Sequence, residues 1–128
     1  MLKPALPVRV LLVDDQPMFV EALKALLESD DRVDVVAATD NGAHAIELAA
    51  TSRADVAIVD LNLPGLDGVE TTRLLVERTP ELRVVVVSGR SEGTEEQAAL
   101  DAGAACFLYK GGLHDEIANA IVAAHLAA

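Results

Sequence analysis

The sequence is poor in aromatic residues and in cysteine, and it contains no tryptophan. Aromatic side chains make up 2% of the 128 residues, and Cys106 is the one cysteine. A single cysteine excludes an internal disulfide and any metal site built from several thiolates, and its apolar surroundings predict a buried, unreactive thiol. The hydrophobic residues amount to 52% and are mainly alanine, valine and leucine. A core of such small and branched side chains favours helices packed on a sheet.

Lysine and arginine are also scarce. The chain has 10 of them against 21 aspartates and glutamates, which gives a formal net charge of −11. This argues against direct binding to nucleic acid, whose affinity comes largely from neutralised phosphates. The longest apolar runs are far shorter than the ~20 residues that span a bilayer. We therefore expect a cytoplasmic protein without membrane contact, with a disordered lead over residues 1–7 and one domain over residues 8–128.

Short β-branched runs alternate with helix-length segments along the chain. The runs predict five strands, over residues 8–13, 33–38, 56–59, 84–87 and 106–108. The first four are nearly continuous in apolar residues, as expected of strands buried on both faces. Five strand–helix units predict an α/β fold with a parallel sheet, covered by helices on both faces and joined by right-handed crossovers.

The spacing of apolar residues predicts the helices. From Pro17 to Glu28 the apolar side chains fit one helical face, formed by Phe19, Ala22, Leu23, Leu26 and Leu27. Asp40 or Asn41 can cap the second helix, and Asp67 the third. The last helix, from about residue 113, has a face formed by Leu113, Ile117, Ala120, Ile121 and Ala124. The fourth, over about residues 94–102, offers only alanines and Leu100, so we expect it to be the least firmly packed.

The strand order of such a sheet predicts where a ligand binds. With the order 2-1-3-4-5 the winding direction reverses between strands 1 and 3, and ligands bind in the crevice outside their carboxyl ends. The first predicted strand ends in Asp14 and Asp15, and the third ends in Asp60. Three carboxylates from distant parts of the sequence should therefore meet in one crevice.

Three carboxylates in one crevice call for a cation, because like charges raise each other's pKa unless a positive charge joins them. Oxygen ligands without sulfur or histidine suit Mg²⁺. We predict that Asp14, Asp15 and one oxygen of Asp60 bind it, together with a backbone carbonyl of Leu61 or Asn62.

Two further polar residues follow strands at the same edge of the sheet. Ser88 ends the fourth strand, and Lys110 follows the fifth. A carboxylate flanked by Mg²⁺, a hydroxyl and an ammonium has the groups needed to accept a phosphoryl group as an aspartyl phosphate. The three positively polarised groups would each take one phosphoryl oxygen and spread the charge that develops during transfer.

The segments "VLLVDDQP", "VDLNLPGLDG" and "FLYK", with Ser88 between the second and third, resemble the receiver domain of bacterial two-component response regulators. The resemblance covers roughly residues 8–125, and the motifs occur in the family's order and spacing. It implies a doubly wound, flavodoxin-like (βα)5 fold. It also implies that Asp60 takes a phosphoryl group from a sensor histidine kinase, with Mg²⁺, or alternatively Mn²⁺, held by Asp14, Asp15, Asp60 and the Asn62 carbonyl.

The resemblance implies a switch as well as a phosphoacceptor. Ser88 and Phe107 correspond to the family's switch pair, and Lys110 to its active-site lysine. Phosphorylation is expected to change the surface of the fourth helix, fifth strand and fifth helix and to promote a homodimer. The domain would be a signalling switch and not a conventional enzyme. The "DDQP" segment and the Lys-Gly pair favour regulators of the LuxR/NarL type, whose output is a DNA-binding domain that controls transcription.

The sequence departs from the family pattern after the lysine, and two further positions bear on how long the phosphoryl group persists. Many receivers follow the lysine with a cis proline, whereas Gly111 and Gly112 follow it here and predict a more mobile loop. Asn62 and Arg90 occupy positions that, in the family, tune the lifetime of the phosphoryl group. We expect no output domain within residues 8–128, which leaves open a receiver cut from a longer protein or a single-domain regulator.

Three alternatives stand beside this interpretation. Taken singly, Asp14 or Asp15 could cap the first helix. An enzyme of the haloacid dehalogenase type also uses an aspartyl phosphate, but its first strand carries a DxD motif, whereas the two acids here are adjacent. A receiver-like module could also bind partners without being phosphorylated, although the intact acids, serine and lysine argue against it.

Overall fold

The computed structural model describes residues 6–89, 93–112 and 116–127, and it has the predicted alternation of strands and helices. The strands are β1 (Val8–Val13), β2 (Val33–Thr39), β3 (Val56–Asp60), β4 (Arg83–Ser88) and β5 (Cys106–Tyr109). The helices are α1 (Pro17–Glu28), α2 (Gly42–Thr51), α3 (Gly68–Arg78), α4 (Gly93–Asp101) and α5 (Glu116–Leu126). Each predicted strand is present, with ends that shift by one residue at most.

The five strands form one parallel sheet in the order β2-β1-β3-β4-β5, which confirms the predicted topology. In the centre, Val10 to Val13 of β1 lie beside Val56 to Val59 of β3. The winding direction therefore reverses between β1 and β3, and the carboxyl ends of these strands flank the crevice where this fold binds ligands.

The sheet is buried on both faces, because alternate residues of its strands point to opposite sides. On one face, Leu11, Val13 and Val86 pack against small side chains of α2 and α4 and against Leu75 of α3. On the other face, Val10, Leu12 and Ile58 pack against α1 and α5, whose buried residues include Leu23, Leu27, Ile117 and Ile121. Two apolar layers thus fix the strand ends that carry the polar residues.

The predicted helix faces and strand burial need four corrections. Ala22 of α1 is exposed, and Val20 packs on the core in its place. In α4 the buried residue is Ala99, while Leu100, one residue further round the helix, is 38% exposed. On α5 the buried set includes Ala118, and the predicted Leu113 lies outside the described residues. Only Val33 of β2 is fully buried, because β2 is an edge strand.

Two helix caps and one glycine shape the loops near the crevice. Asn41 caps α2 by accepting a hydrogen bond from the His44 amide, and Asp67 caps α3 by accepting one from the Glu70 amide. Gly68 begins α3 directly against the end of β3, where a Cβ would lie 2.5 Å from Leu61 Cα and overlap the Asp60 carbonyl oxygen. Only glycine permits this approach.

No helix in the described ranges is long and apolar enough to cross a membrane.

Candidate functional site

The fold brings the predicted acids and lysine together at the carboxyl ends of β1, β3 and β5. Asp14 follows β1, Asp60 is the last residue of β3, and Lys110 comes directly after β5. Asp14 is 6% exposed and Asp60 3%, which is unusual for carboxylates. A cavity of about 410 Å³ opens here, lined by Asp15, Gln16, Asp60, Asn62, Gly89 and Lys110.

The ammonium group of Lys110 joins these elements. Its Nζ lies 2.8 Å from Asp14 Oδ2 and 3.3 Å from Asp60 Oδ2. It also donates a hydrogen bond to Gln16 Oε1 at 2.6 Å and lies 4.3 Å from the centre of the Phe19 ring. One positive charge therefore faces two buried carboxylates, an amide oxygen and an aromatic ring.

Asp60 is a buried carboxylate whose environment opposes its ionisation. Burial raises the pKa of Asp60, and the nearby Asp14 charge raises it further. The hydrogen bond from the Asn62 amide to Asp60 Oδ1, at 3.2 Å, and the Lys110 ammonium lower it, but the net change is upward. An ionised Asp60 is therefore only partly compensated by the groups around it, which is typical of a functional site.

The three acids fit a divalent metal ion. One carboxylate oxygen each from Asp14, Asp15 and Asp60 lies within 4.8 Å of the others. Asp14 Oδ2 is buried and makes no hydrogen bond of good geometry, although it faces the Lys110 ammonium. Asp15 is exposed, so water can complete a coordination shell from that side. A hard, all-oxygen set that is open to water is what Mg²⁺ prefers.

The acids do not act as caps of α1. The residue that precedes this helix is Gln16, and no side chain hydrogen-bonds to the first free amides of the helix. Asp14 Oδ1 instead accepts a hydrogen bond from the Gln16 amide at 2.8 Å, which fixes the turn between β1 and α1. The capping alternative for Asp14 and Asp15 is therefore not what the structure shows.

Neither residue of the predicted switch pair lines the cavity. Ser88 is fully buried at the end of β4, is paired in register with Tyr109, and does not line the cavity. Phe107 is half-buried and packs on the core layer beneath α2, α3 and α4. Its ring meets that of Tyr109 edge to face, with centroids 5.3 Å apart.

Sequence reasoning missed several residues of this site. Gln16, which precedes α1, and Phe19 of α1 both contact Lys110, and Gly89 lines the cavity where only Ser88 was predicted. Tyr109 is hydrogen-bonded to Glu96 of α4. The position of Gln16, between the acid pair and the proline that begins α1, could have indicated its role. The packing of Tyr109 against α4 has no such indication in the sequence.

Known proteins share both the sequence pattern and the fold. The family of the response regulator receiver domain matches residues 10–122. The chain is 41% identical over 100 residues to protein-glutamate methylesterase/protein-glutamine glutaminase 2 of Methanospirillum hungatei, covering 76% of this chain and 28% of that protein. It is 36% identical over 115 residues to the probable transcriptional regulatory protein NarL of Mycobacterium tuberculosis, covering 90% of this chain and 53% of NarL.

A solved structure agrees with these matches. The signal receiver domain of the M. tuberculosis regulator NarL superimposes with a TM-score of 0.90 at 34% identity, covering 95% of this chain and 98% of that one. The sequence pattern and the topology are those of a receiver domain. The chain belongs to the response regulator receiver domain family, and it spans about half or less of the length of the curated relatives described above.

Proposed function

We propose that this domain is a phosphorylation switch in which Asp60 is the phosphoacceptor. The observation that carries the proposal is the buried Asp60 carboxylate, which faces the Lys110 ammonium at 3.3 Å beside two further acids and an open cavity. A phosphoryl group bound to Asp60 would find the ammonium in place, and the cavity gives the donor access to it.

In the transfer step an Asp60 oxygen attacks the phosphorus of the donor. A new P–O bond forms while the bond from phosphorus to its leaving group breaks, and the leaving group takes that electron pair. With a phosphohistidine of a sensor kinase the leaving group is imidazole, and with acetyl phosphate it is acetate. Asp14, Asp15, Asp60 and the Asn62 carbonyl would hold Mg²⁺, and the bound ion would supply positive charge that lowers the repulsion between two anions. Lys110 neutralises a second part of that charge.

The switch follows from what the phosphoryl group attracts. We propose that Ser88 turns toward it and that Phe107 moves into the space that the hydroxyl leaves. Shifting a two-state equilibrium from 1:99 to 99:1 takes about 5.5 kcal/mol. Hydrogen bonds to a charged group contribute about 1.5 to 3 kcal/mol each, so bonds from Ser88 and Lys110 are of the required size.

The output of the switch is a changed surface. α4 has one fully buried apolar residue among its side chains, Ala99, and is held to β5 by the Tyr109–Glu96 hydrogen bond at 3.4 Å. We propose that movement of Phe107, which contacts Tyr109, alters the surface of α4, β5 and α5 and promotes a homodimer. The similarity to NarL supports an output in transcription, exerted through a part of the protein other than this acidic domain.

The direct test is intact mass after incubation with acetyl phosphate and Mg²⁺. We expect wild-type protein to gain one phosphoryl group, and Asp60→Asn or a Mg²⁺-free sample to gain none. Asp67→Asn is a matched control, because asparagine caps a helix as well as aspartate does and Asp67 is the cap of α3. It should be phosphorylated like wild type.

The result that overturns the proposal is equally direct. If wild-type protein gains no phosphoryl group and shows no Mg²⁺-dependent binding of beryllofluoride, Asp60 is not a phosphoacceptor. The domain would then be a receiver-shaped module that binds partners without phosphorylation.

A further inference from the structure

Gln16 and Lys110 form the shortest polar contact of the site, although 94 residues separate them in the chain. The Lys110 ammonium donates to Gln16 Oε1 at 2.6 Å, against 2.8 Å to Asp14 Oδ2 and 3.3 Å to Asp60 Oδ2. This hydrogen bond ties the start of α1 to the end of β5. Gln16 also lines the same cavity as Asp60.

The local backbone structure does not explain why residue 16 is a glutamine. Gln16 is the N-cap residue of α1, where serine, threonine, aspartate and asparagine are preferred because their short side chains reach the first free amides. The Gln16 side chain makes no such bond, and Pro17 starts the helix. A residue that departs from the preference at a helix N-cap commonly belongs to a functional site.

An ammonium group has three protons, and here three oxygens face it. Two of these oxygens belong to the carboxylates of Asp14 and Asp60, and the third belongs to the neutral amide of Gln16. We propose that Gln16 is a positioning residue for phosphoryl transfer, which holds the Lys110 ammonium at the mouth of the cavity through one neutral hydrogen bond. The inference rests on the proposed function of Asp60.

The neutrality of Gln16 is part of the argument. A glutamate in its place would hold the ammonium at least as firmly, but it would add a fourth carboxylate next to Asp14, Asp15 and Asp60. That charge would repel an incoming phosphoryl group and compete with it for Lys110. An amide oxygen orients the ammonium without either effect.

Two substitutions at Gln16 separate these contributions. Gln16→Met keeps the length of the side chain and removes the acceptor, and Gln16→Glu keeps an acceptor and adds charge. We expect Gln16→Met to slow phosphorylation by acetyl phosphate about threefold to tenfold, because the two carboxylates retain part of the hold on Lys110. Gln16→Glu should slow it by about tenfold or more. Ala50→Met is the control for a new methionine side chain, because Ala50 is exposed on α2 and does not line the cavity, and it should react at the wild-type rate.

A double-mutant cycle shows whether Gln16 acts through Lys110. In a Lys110→Met background, Gln16→Met should change the phosphorylation rate and the beryllofluoride affinity by less than about twofold, because the partner is gone. The fluorine spectrum of bound beryllofluoride gives a second readout. Gln16→Met should shift the resonance of the fluorine nearest Lys110, while the melting temperature stays close to that of wild type.

Each outcome decides the question. Wild-type rates and an unchanged fluorine spectrum for Gln16→Met, or the same loss with and without Lys110, would overturn the role of Gln16 and leave the phosphoacceptor intact. Failure of the wild-type protein itself to take a phosphoryl group or bind beryllofluoride would overturn the function of Asp60, and the role of Gln16 with it.

Discussion

Removing the ammonium of Lys110 should destabilise the fold. The loss of stability should be larger when a larger fraction of the acids that it faces is ionised. Lys110→Met keeps the length of the side chain and its contact with the Phe19 ring but leaves Asp14 and Asp60 buried without a positive partner. At an effective dielectric constant of about 20, Coulomb attraction at these distances amounts to about 5 to 6 kcal/mol per pair. These values are upper limits, because they omit the hydration that each charge loses on burial.

Protonation limits the actual loss. A carboxyl group of ordinary pKa, about 3.9, can be protonated at pH 7 for about 4 kcal/mol and at pH 5 for about 1.5 kcal/mol. A buried carboxylate that has lost its partner will take up a proton when that is the cheaper alternative. We therefore expect Lys110→Met to lose about 2 to 4 kcal/mol of unfolding free energy at pH 7 and less at pH 5, where the loss is at most about 1.5 kcal/mol for each carboxyl group that takes up a proton.

The direction of this pH dependence follows from the pKa of Asp60. Lys110 lowers that pKa, so its removal raises a value that burial already holds above the ordinary one. A folded-state pKa above the unfolded value makes stability fall as pH rises through the interval between the two. The variant should therefore lose more relative to wild type as pH increases.

Urea unfolding at pH 5 and pH 7, with and without Mg²⁺, measures each of these quantities. Mg²⁺ should stabilise both proteins, by about 2.7 kcal/mol at a concentration 100 times the dissociation constant. At one fixed Mg²⁺ concentration it should stabilise the variant more than the wild type, because no ammonium competes with the ion for Asp14 and Asp60 in the variant, so the difference between the two proteins should become smaller. Lys24→Met is the control, because Lys24 lies on α1 and has no ion pair among the described residues. A loss that is equal at both pH values and insensitive to Mg²⁺ would show that Lys110 stabilises by packing and would refute the electrostatic account.

Three further predictions concern Asp60, Gly68 and Tyr109. Asp60→Asn should gain stability relative to wild type as pH rises from the ordinary carboxyl pKa through the raised pKa of Asp60. Melting temperatures of both proteins at a series of pH values measure this gain. A difference in melting temperature that stays constant with pH would contradict the raised pKa. Gly68→Ala should cost about 3 kcal/mol in urea unfolding, because its Cβ meets backbone atoms that cannot move aside. Gly65→Ala, with open space around its Cβ and a φ of 71°, should cost only about 1 kcal/mol; equal losses would reject the steric argument. Tyr109 is the one tyrosine of a chain without tryptophan, so ultraviolet absorbance reports its ionisation directly. Burial and the Glu96 charge raise the pKa of Tyr109 above its ordinary value. Glu96→Gln should therefore lower this pKa part of the way to the ordinary value. An unchanged titration would mean that Glu96 does not face Tyr109 in solution.

Much of the fold could be predicted because the sequence repeats one simple pattern five times. Apolar runs such as Val84 to Val87 predict buried parallel strands, and the acids at two strand ends predict the crevice. The helix faces were harder, because alanine carries little information on burial. In α4, Leu100 is the larger apolar residue, yet the small Ala99 fills the space beneath the helix.

The candidate site was predictable only in part. Strand ends place Asp14, Asp60 and Lys110 at one edge of the sheet, and topology alone brings them together. The direction of a side chain depends on packing that sequence does not display. Ser88 is thus enclosed at the end of its strand and does not line the cavity, and the exposed Gln16 reaches Lys110.

The site concentrates charge where the rest of the domain gives it rigid support. Three acids and one ammonium leave two uncompensated negative charges in a space less than 5 Å across its carboxylate oxygens. Such a group would push apart a flexible loop, but its residues follow strands that are packed on both faces by apolar layers. The fold therefore tolerates a repulsive arrangement that any added positive charge relieves. Because Asp14, Asp15, Asp60 and Lys110 share one balance of charge, a substitution at any of the four should change stability, metal binding and phosphorylation at once, although not all in the same direction.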